Sequence, residues 1–270
     1  MEPKSWQVGY PEGVIKYIDA FREKYFQYDI FDNVVKKYAE RNILTEGRRI
    51  LSLGSGTGRH EVELSKMGYE VIGLERNEES IGVANKYIEK SGANVKILKC
   101  DFLDYEELNR VMKTVGTVDI VLLLLIPISV YDYCKAIKNT SGWLRQGGLF
   151  ITDKFGYSEE IDKNRLTLKS DVEVVSGEQN DDFIVRLNYY EYKNDIVNWD
   201  AIYLYNNKMN QVVMKRDHDV LEVVSEDEIE KVFNIDKDQF EQLDTYRIVE
   251  CDDALCPPLL YEYLLGWRKK

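Results

Sequence analysis

The stretch Leu53-Gly54-Ser55-Gly56-Thr57-Gly58 decides the reading of this chain. It follows an apolar run, Ile50-Leu51-Ser52-Leu53, and precedes a helical pattern over about 60–67 that Gly68 closes. Three glycines at alternate positions between a strand and a helix allow a tight backbone turn and a close approach to a ligand. Glu75 lies 21 residues after Gly54, at the end of a second strand, Glu70-Val71-Ile72-Gly73-Leu74. A carboxylate there can accept hydrogen bonds from both hydroxyls of a ribose. Arg76 adjoins it. Asp101 ends a third strand, Val95 to Leu98, where a carboxylate can accept from an adenine amino group, and Phe102 falls beside that base.

Working outward, the pattern alternates. A helix over about 78–90 ends at Gly92, a fourth strand covers Asp119 to Ile126, and a helix over 131–144 follows. A turn is expected around Gln146-Gly147-Gly148, then a fifth strand, Leu149 to Thr152. Apolar strands alternating with helices predict an α/β fold, a Rossmann-like doubly wound parallel sheet with right-handed crossovers. Upstream, Val14, Ile18, Phe21 and Tyr25, then Phe31, Val34, Val35 and Tyr38, recur at helical spacing and predict an N-terminal helical lid over 1–46. Downstream the rhythm changes. Val185-Leu187-Tyr189 and Ala201-Tyr203-Tyr205 alternate with period two, with turn residues at Lys193-Asn194-Asp195 and Asn206-Asn207-Lys208. These predict an antiparallel β-meander of three to four strands over 156–224. Ser225 and Glu228 form a capping box for a returning helix, and a strand pair is expected near 240–249 and 260–268. The cofactor core is then 47–155 with 225–270.

The 270 residues carry a formal charge of −12. That balance disfavours a nucleic-acid partner and suits a cationic small molecule or peptide. Lysines and arginines form no stripe. The four cysteines, Cys100, Cys134, Cys251 and Cys256, form no Cys-x-x-Cys pair, and His60-Glu61-Val62-Glu63 is followed by Leu64, so no metal site is expected. The N-terminal residues show no apolar leader core and the run Val118 to Ile128 is too short to span a bilayer. A cytoplasmic protein, monomeric or homodimeric and away from membranes, is the expectation.

Residues 48–155 resemble the cofactor half of class I S-adenosylmethionine-dependent methyltransferases. The resemblance implies that Gly54, Ser55, Gly56 and Gly58 cradle the methionine part of S-adenosylmethionine. It implies that Glu75 holds the ribose, that Asp101 and Phe102 hold the adenine, and that backbone around Leu125 and Ile126 also contacts the cofactor. It further implies a seven-stranded sheet whose last strand, near Tyr263-Leu264-Leu265-Gly266-Trp267, is antiparallel. A nicotinamide cofactor fits less well, because Arg59 follows Gly58 and no glycine falls at the third position of Gly-x-Gly-x-x-Gly. The meander and the stretch Asp217 to Ser225 resemble small-molecule N-methyltransferases, among them those acting on deoxyaminosugars and peptide natural products.

Methyl transfer from a sulfonium is an in-line displacement, so alignment and exclusion of water dominate, with a base to deprotonate an amine. His218 and Asp132 are the candidate catalytic groups. Asp153, Tyr25 and Tyr28 are candidates for the substrate pocket. N-methylation, O-methylation and a cofactor-binding module without turnover all remain compatible with these residues, the product of either transfer being S-adenosylhomocysteine.

Overall fold

The computed structural model describes residues 13–23, 28–43, 48–126, 129–153, 169–176, 183–193, 196–206, 211–222, 239–244, 246–247 and 263–270. Its strands are β1 Arg49–Leu53, β2 Glu70–Glu75, β3 Val95–Lys99, β4 Val118–Leu123, β5 Leu144–Asp153, β6 Lys169–Ser176, β7 Phe183–Lys193, β8 Ile196–Asn206, β9 Val212–Glu222, β10 Phe240–Gln242, β11 Tyr246–Arg247 and β12 Tyr263–Lys269. Its helices are α1 Ile18–Glu23, α2 Tyr28–Asn42, α3 Arg59–Lys66, α4 Glu78–Ser91, α5 Tyr105–Val115 and α6 Val130–Ser141, with a 3₁₀ turn at Ile15–Tyr17 before α1.

The chain divides into two units, Gln27–Phe155 with Val224–Lys270, and Met1–Phe26 with Gly156–Val223. The first is built on a mixed sheet of order β10-β12-β5-β4-β1-β2-β3, with β11 pairing β12. Strands β1 to β5 run parallel, and β12 enters antiparallel against β5. The seven-strand path with its antiparallel last strand is the expected one. Every residue of β4 is buried, as a strand covered on both faces requires. Its one charge, Asp119, accepts from the Arg49 N–H at 2.8 Å and from Arg145 at 2.8 Å, which satisfies both carboxylate oxygens. Because β1 lies between β2 and β4, the strand order reverses there, and the crevice beyond the carboxyl ends of β1 and β4 is where open α/β sheets place ligands.

Three local features differ from the sequence reading. Helix α5 was not anticipated, although Asp104 caps it by accepting from the N–H groups of Glu106 and Glu107, and Leu108 and Met112 bury its inner face. The expected turn at Gln146-Gly147-Gly148 is instead part of β5. Gly147 has φ +74°, the β4–β5 register shifts between Val118 and Ile120, and a Cβ on Gly148 would lie 2.7 Å from the Asp119 carbonyl. The glycine pair is therefore a bulge that lets two backbones touch. Finally, the N-terminal segment is not one body over 1–46, since α2 packs on the sheet unit. Tyr38 donates to the Asp244 carbonyl at 3.0 Å and lies where a side chain on Gly266 would project, 2.3 Å from the Tyr38 hydroxyl.

The second unit is an antiparallel sheet of order β6-β7-β8-β9. One face packs Ile184, Ala201, Tyr203 and Tyr205 against Val14, Tyr17, Ile18 and Phe21 of the N-terminal segment. The same face buries a polar network. Glu173 accepts from Arg186 and, at 2.8 Å, from Asn188, whose side-chain oxygen accepts from the Trp199 indole at 3.0 Å. The Arg186 guanidinium sits 4.2 Å from the centre of the Phe21 ring. The turn residues at 194–195 and 207–208, the helix expected at Ser225, Tyr25 and the side chain of Tyr28 lie outside the described residues. Among the described residues no helix is long and apolar enough to cross a membrane.

Candidate cofactor site

The glycine loop leaves β1 in a left-handed path. Gly54, Gly56 and Gly58 have φ of +67°, +55° and +78°, a region L side chains rarely adopt. Crowding adds to this at Gly54, where a Cβ would lie 2.2 Å from Ile126 Cδ1. At Gly56 a Cβ would meet nothing within 4 Å, so the loop faces open space there. Gly58 occupies the N-cap of α3 and opens the helix without a side-chain cap. The Ser55 N–H donates to the Leu74 carbonyl at 2.9 Å, and its side chain tucks against Gly73 of β2. Ser55 can thus present backbone to a ligand, with its hydroxyl turned to the sheet.

Glu75, at the end of β2, spans the gap to this loop. Its Oε2 accepts from the Gly56 N–H at 2.9 Å, and its Oε1 from the N–H groups of Arg76 and Asn77 at 2.9 and 2.8 Å. A carboxylate has about four lone-pair sites; the three N–H groups fill three, which leaves one on Oε2 for a ribose hydroxyl. Asp101 follows β3. Its Oδ1 accepts from the Leu103 N–H at 2.9 Å, while Oδ2 lies 3.6 Å from the Arg76 guanidinium and its side chain stays one-third exposed. Phe102 is buried, with a ring atom 3.7 Å from the Cβ position of Gly54. Asn139 on α6, which sequence reasoning missed, fixes this corner by donating to the carbonyls of Phe102 and Leu103 at 3.1 and 3.2 Å.

The loop after β4 closes the crevice from the other side. Leu125 is the non-glycine residue with positive φ, +58°, among those described. Its N–H donates to both oxygens of Asp153, at 3.1 and 3.0 Å, and Asp153 is 1% exposed. Asp153, a substrate-pocket candidate by sequence, is thus placed in the interior, where it holds a residue in a strained conformation. Thr152 assists by donating to the Leu123 carbonyl at 2.7 Å. The side chain of Ile126 then rests on Gly54.

A second buried cluster lies behind the loop. His60 Nδ1 is 2.7 Å from Asp32 Oδ1, joining α3 to α2. Glu61 accepts from the Ser52 hydroxyl at 2.6 Å. Burial pushes the Glu61 carboxyl up to about 7, against the pull of His60 and Ser52 in the opposite direction. The Cys100 thiol is likewise pushed up to about 12, chiefly by burial, and is no nucleophile.

Gly54, Gly56, Glu75, Arg76, Asp101, Phe102 and Leu125 therefore gather at the carboxyl ends of β1 to β4. Asp132 sits in the first turn of α6, where its Oδ2 accepts from the Ser129 hydroxyl at 2.7 Å and its N–H donates to the same oxygen at 3.2 Å. That arrangement caps the helix. Tyr28 opens α2. His218 lies on β9 of the other unit, half exposed and 3.2 Å from Asp200. No group of three or more metal-ligating side chains exists among the described residues.

The loop, the two strand-end carboxylates and the open floor at Gly56 fit a nucleoside cofactor carrying a short amino-acid tail. Comparison with known proteins agrees. Residues 44–216 match the family described as a methyltransferase domain. A tRNA (uracil(54)-C(5))-methyltransferase of Pyrococcus horikoshii is 41% identical over 69 residues, which is 26% of this chain and 14% of that protein. A ubiquinone biosynthesis O-methyltransferase of Coxiella burnetii is 28% identical over 112 residues, 42% of this chain and 45% of that protein. The chain thus spans less than half the length of these curated relatives. The solved sugar N-methyltransferase KedS8 from Streptoalloteichus sp ATCC 53650 superposes with a TM-score of 0.70 at 15% identity, over 94% of this chain and 93% of its own. With its glycine loop, strand order and family match in agreement, the chain belongs to the methyltransferase-domain family, whose cofactor is S-adenosylmethionine.

Proposed function

We propose that the protein transfers a methyl group from S-adenosylmethionine to an amine nitrogen of a small molecule or short peptide, in the cytoplasm. The observation that carries this reading is the four-stranded antiparallel unit inserted after β5. The superposition of the sugar N-methyltransferase KedS8 covers 94% of this chain, which supports the reading. The net charge of −12 favours a cationic acceptor over an anionic one.

The cofactor supplies an electrophilic methyl on a positively charged sulfur. The chain's own residues bind and align. Glu75 and Asp101 take the ribose hydroxyls and the adenine amino group, Phe102 packs beside the base, and Gly54 to Gly58 give backbone to the methionine end. An ammonium acceptor has no lone pair until it loses a proton, and of the two candidate groups, Asp132 and His218, Asp132 is the one assigned to that step. Asp153 acts at a distance by holding Leu125. Incubation with labelled S-adenosylmethionine and a panel of amines, alcohols and carboxylic acids tests the reading. Label on amines supports it, and label confined to hydroxyl or carboxylate acceptors overturns it.

The likeness to the Coxiella burnetii O-methyltransferase favours a second reading, O-methylation with the same cofactor. Under it a neutral hydroxyl must lose its proton in the transfer step, and replacing His218 should cost more activity than replacing Asp132.

A further inference from the structure

Glu61 is a buried acid with no lysine or arginine paired to it among the described residues. It stands in the first turn of α3, just past the last glycine of the loop. Its Oε1 accepts from the hydroxyl of Ser52, on β1 just before the loop, at 2.6 Å. Residues 52 and 61 thus close the base of the loop that receives the cofactor. Its Oε2 is buried and makes no hydrogen bond among the described residues. A buried carboxylate is normally paired or fully hydrogen-bonded. The cations of α3 are engaged elsewhere. Arg59 donates to the Tyr87 hydroxyl on α4 at 2.9 Å, and Lys66 donates to Glu63 at 2.7 Å. His60 adjoins Glu61, but its Nδ1 meets Asp32 of α2 at 2.7 Å. Strand β1 presents Ser52, and β2, packed on the same helix, presents the uncharged run Val71 to Leu74. Asp32 and His60 are therefore the titratable groups that face Glu61, the first raising its carboxyl and the second lowering it.

The cofactor brings the charge that this acid lacks. S-adenosylmethionine carries a sulfonium, whereas the sulfur of S-adenosylhomocysteine is neutral. We propose that Glu61 is the buried counter-charge by which the glycine loop distinguishes the methyl donor from the spent product, its carboxylate favouring the sulfonium and its neutral form giving the donor no advantage. The inference rests on the cofactor alone and holds for an amine or a hydroxyl acceptor. Methyl transfer leaves the C–S electron pair on sulfur and passes the positive charge to the acceptor. The attraction that held the donor is then absent from the product, which favours its release. Two further observations support the role. The first turn of a helix favours a negative charge, yet burial pushes the Glu61 carboxyl up to about 7, so its ionisation is balanced where an arriving cation can tip it. Its place in the interior also spares the field from screening by salt. Linkage is reciprocal. Donor binding lowers the carboxyl and releases its proton, and donor affinity rises with pH through about 7.

Calorimetric titration of the full chain with donor and product, wild type beside Glu61→Gln, tests this at about pH 6 and about pH 8. Glutamine keeps an oxygen for the Ser52 hydroxyl and stays neutral throughout. In the wild type the affinity of donor over product should rise about three-fold or more between the two pH values. In Glu61→Gln that rise should be absent, and the comparison cancels the titration of the ligands' own amino groups. A ratio that ignores pH in the wild type, or that moves equally in the variant, overturns the proposal. So does a variant that weakens both compounds by the same factor at each pH, since that is a purely structural role. Should glutamine disturb the fold, the wild type still decides. At about pH 6.5, where the ligands' amino groups stay protonated, donor binding in buffers of different ionisation heat should release more protons than product binding. Equal release overturns the proposal. A wild type that binds neither compound refutes the cofactor itself and this inference with it, whereas both bound with a pH-indifferent ratio refutes only the role of Glu61.

Discussion

Replacing Asp153 by alanine should loosen cofactor binding without touching the cofactor. Asp153 is 1% exposed, and both its oxygens accept from the N–H of Leu125, whose φ is +58°. Removing the carboxylate leaves a buried N–H unpaired, at a cost of about 1–3 kcal/mol. Holding leucine in the left-handed region costs roughly another 1–2 kcal/mol, which the carboxylate no longer opposes. Together about 3 kcal/mol push the loop away from its native shape, and Ile126 comes off Gly54 with it. The population able to bind shrinks, and the apparent affinity falls by the same fraction. Calorimetric titration with S-adenosylhomocysteine should show a loss of ten-fold or more, about 1.4 kcal/mol. Asp153→Asn, which keeps one acceptor oxygen, should lose less. The decisive comparison is the Leu125→Gly background, where glycine holds the left-handed turn without strain. There the Asp153→Ala loss should shrink. An Asp153→Ala variant that binds like the wild type, or one whose loss is the same in both backgrounds, would refute the clamp.

Other outcomes follow from the same contacts. The Glu61 carboxyl is raised above its unfolded value, so the folded protein holds an extra proton between about pH 4.5 and 7 and stability declines as pH rises through that window. Glu61→Gln should abolish about 3 kcal/mol of that decline, read as urea denaturation at about pH 5 and about pH 8; an unchanged slope sinks the assignment. Gly266→Ala should lower the melting temperature by forcing Tyr38 aside, at a cost of about 1–3 kcal/mol, while Tyr38→Phe loses only its bond to Asp244, about 1 kcal/mol. With an amine acceptor, Asp132→Asn should reduce kcat ten-fold or more and His218→Ala less than two-fold, about 0.4 kcal/mol; the reverse order points to O-methylation.

The parts of this site legible in the sequence are those whose chemistry is local. Gly54, Gly56 and Gly58 announce a left-handed turn because no other residue type occupies one easily, and Glu75 and Asp101 end strands whose apolar runs are plain. The parallel, doubly wound character of the sheet follows from that alternation, whereas its seven strands and antiparallel last strand were implied by the family resemblance. What escaped the reading depends on partners distant in sequence. Asp153 and Leu125 are 28 residues apart, as are His60 and Asp32, and nothing in either neighbourhood names the other. An aspartate at a strand end looks the same whether it faces substrate or anchors a loop. The Gly147-Gly148 pair carried a turn signal, and only the close passage of the Asp119 carbonyl makes it a bulge. Helix α5 was within reach, since Asp104 and Glu107 precede Leu108, Val111 and Met112 at helical spacing.

The central claim is that the crevice beyond β1 and β4 is a S-adenosylmethionine site keyed by Glu75. Its most direct test is calorimetric titration of the full chain with S-adenosylhomocysteine, beside Glu75→Ala and Glu75→Gln. Because Glu75 also accepts from the Gly56 N–H, the glutamine variant, which retains an acceptor oxygen, separates loop support from ribose recognition. Wild-type binding that weakens ten-fold or more in Glu75→Ala, about 1.4 kcal/mol, and less in Glu75→Gln is the predicted result. No binding by the wild type, or equal binding by the alanine variant, contradicts the account.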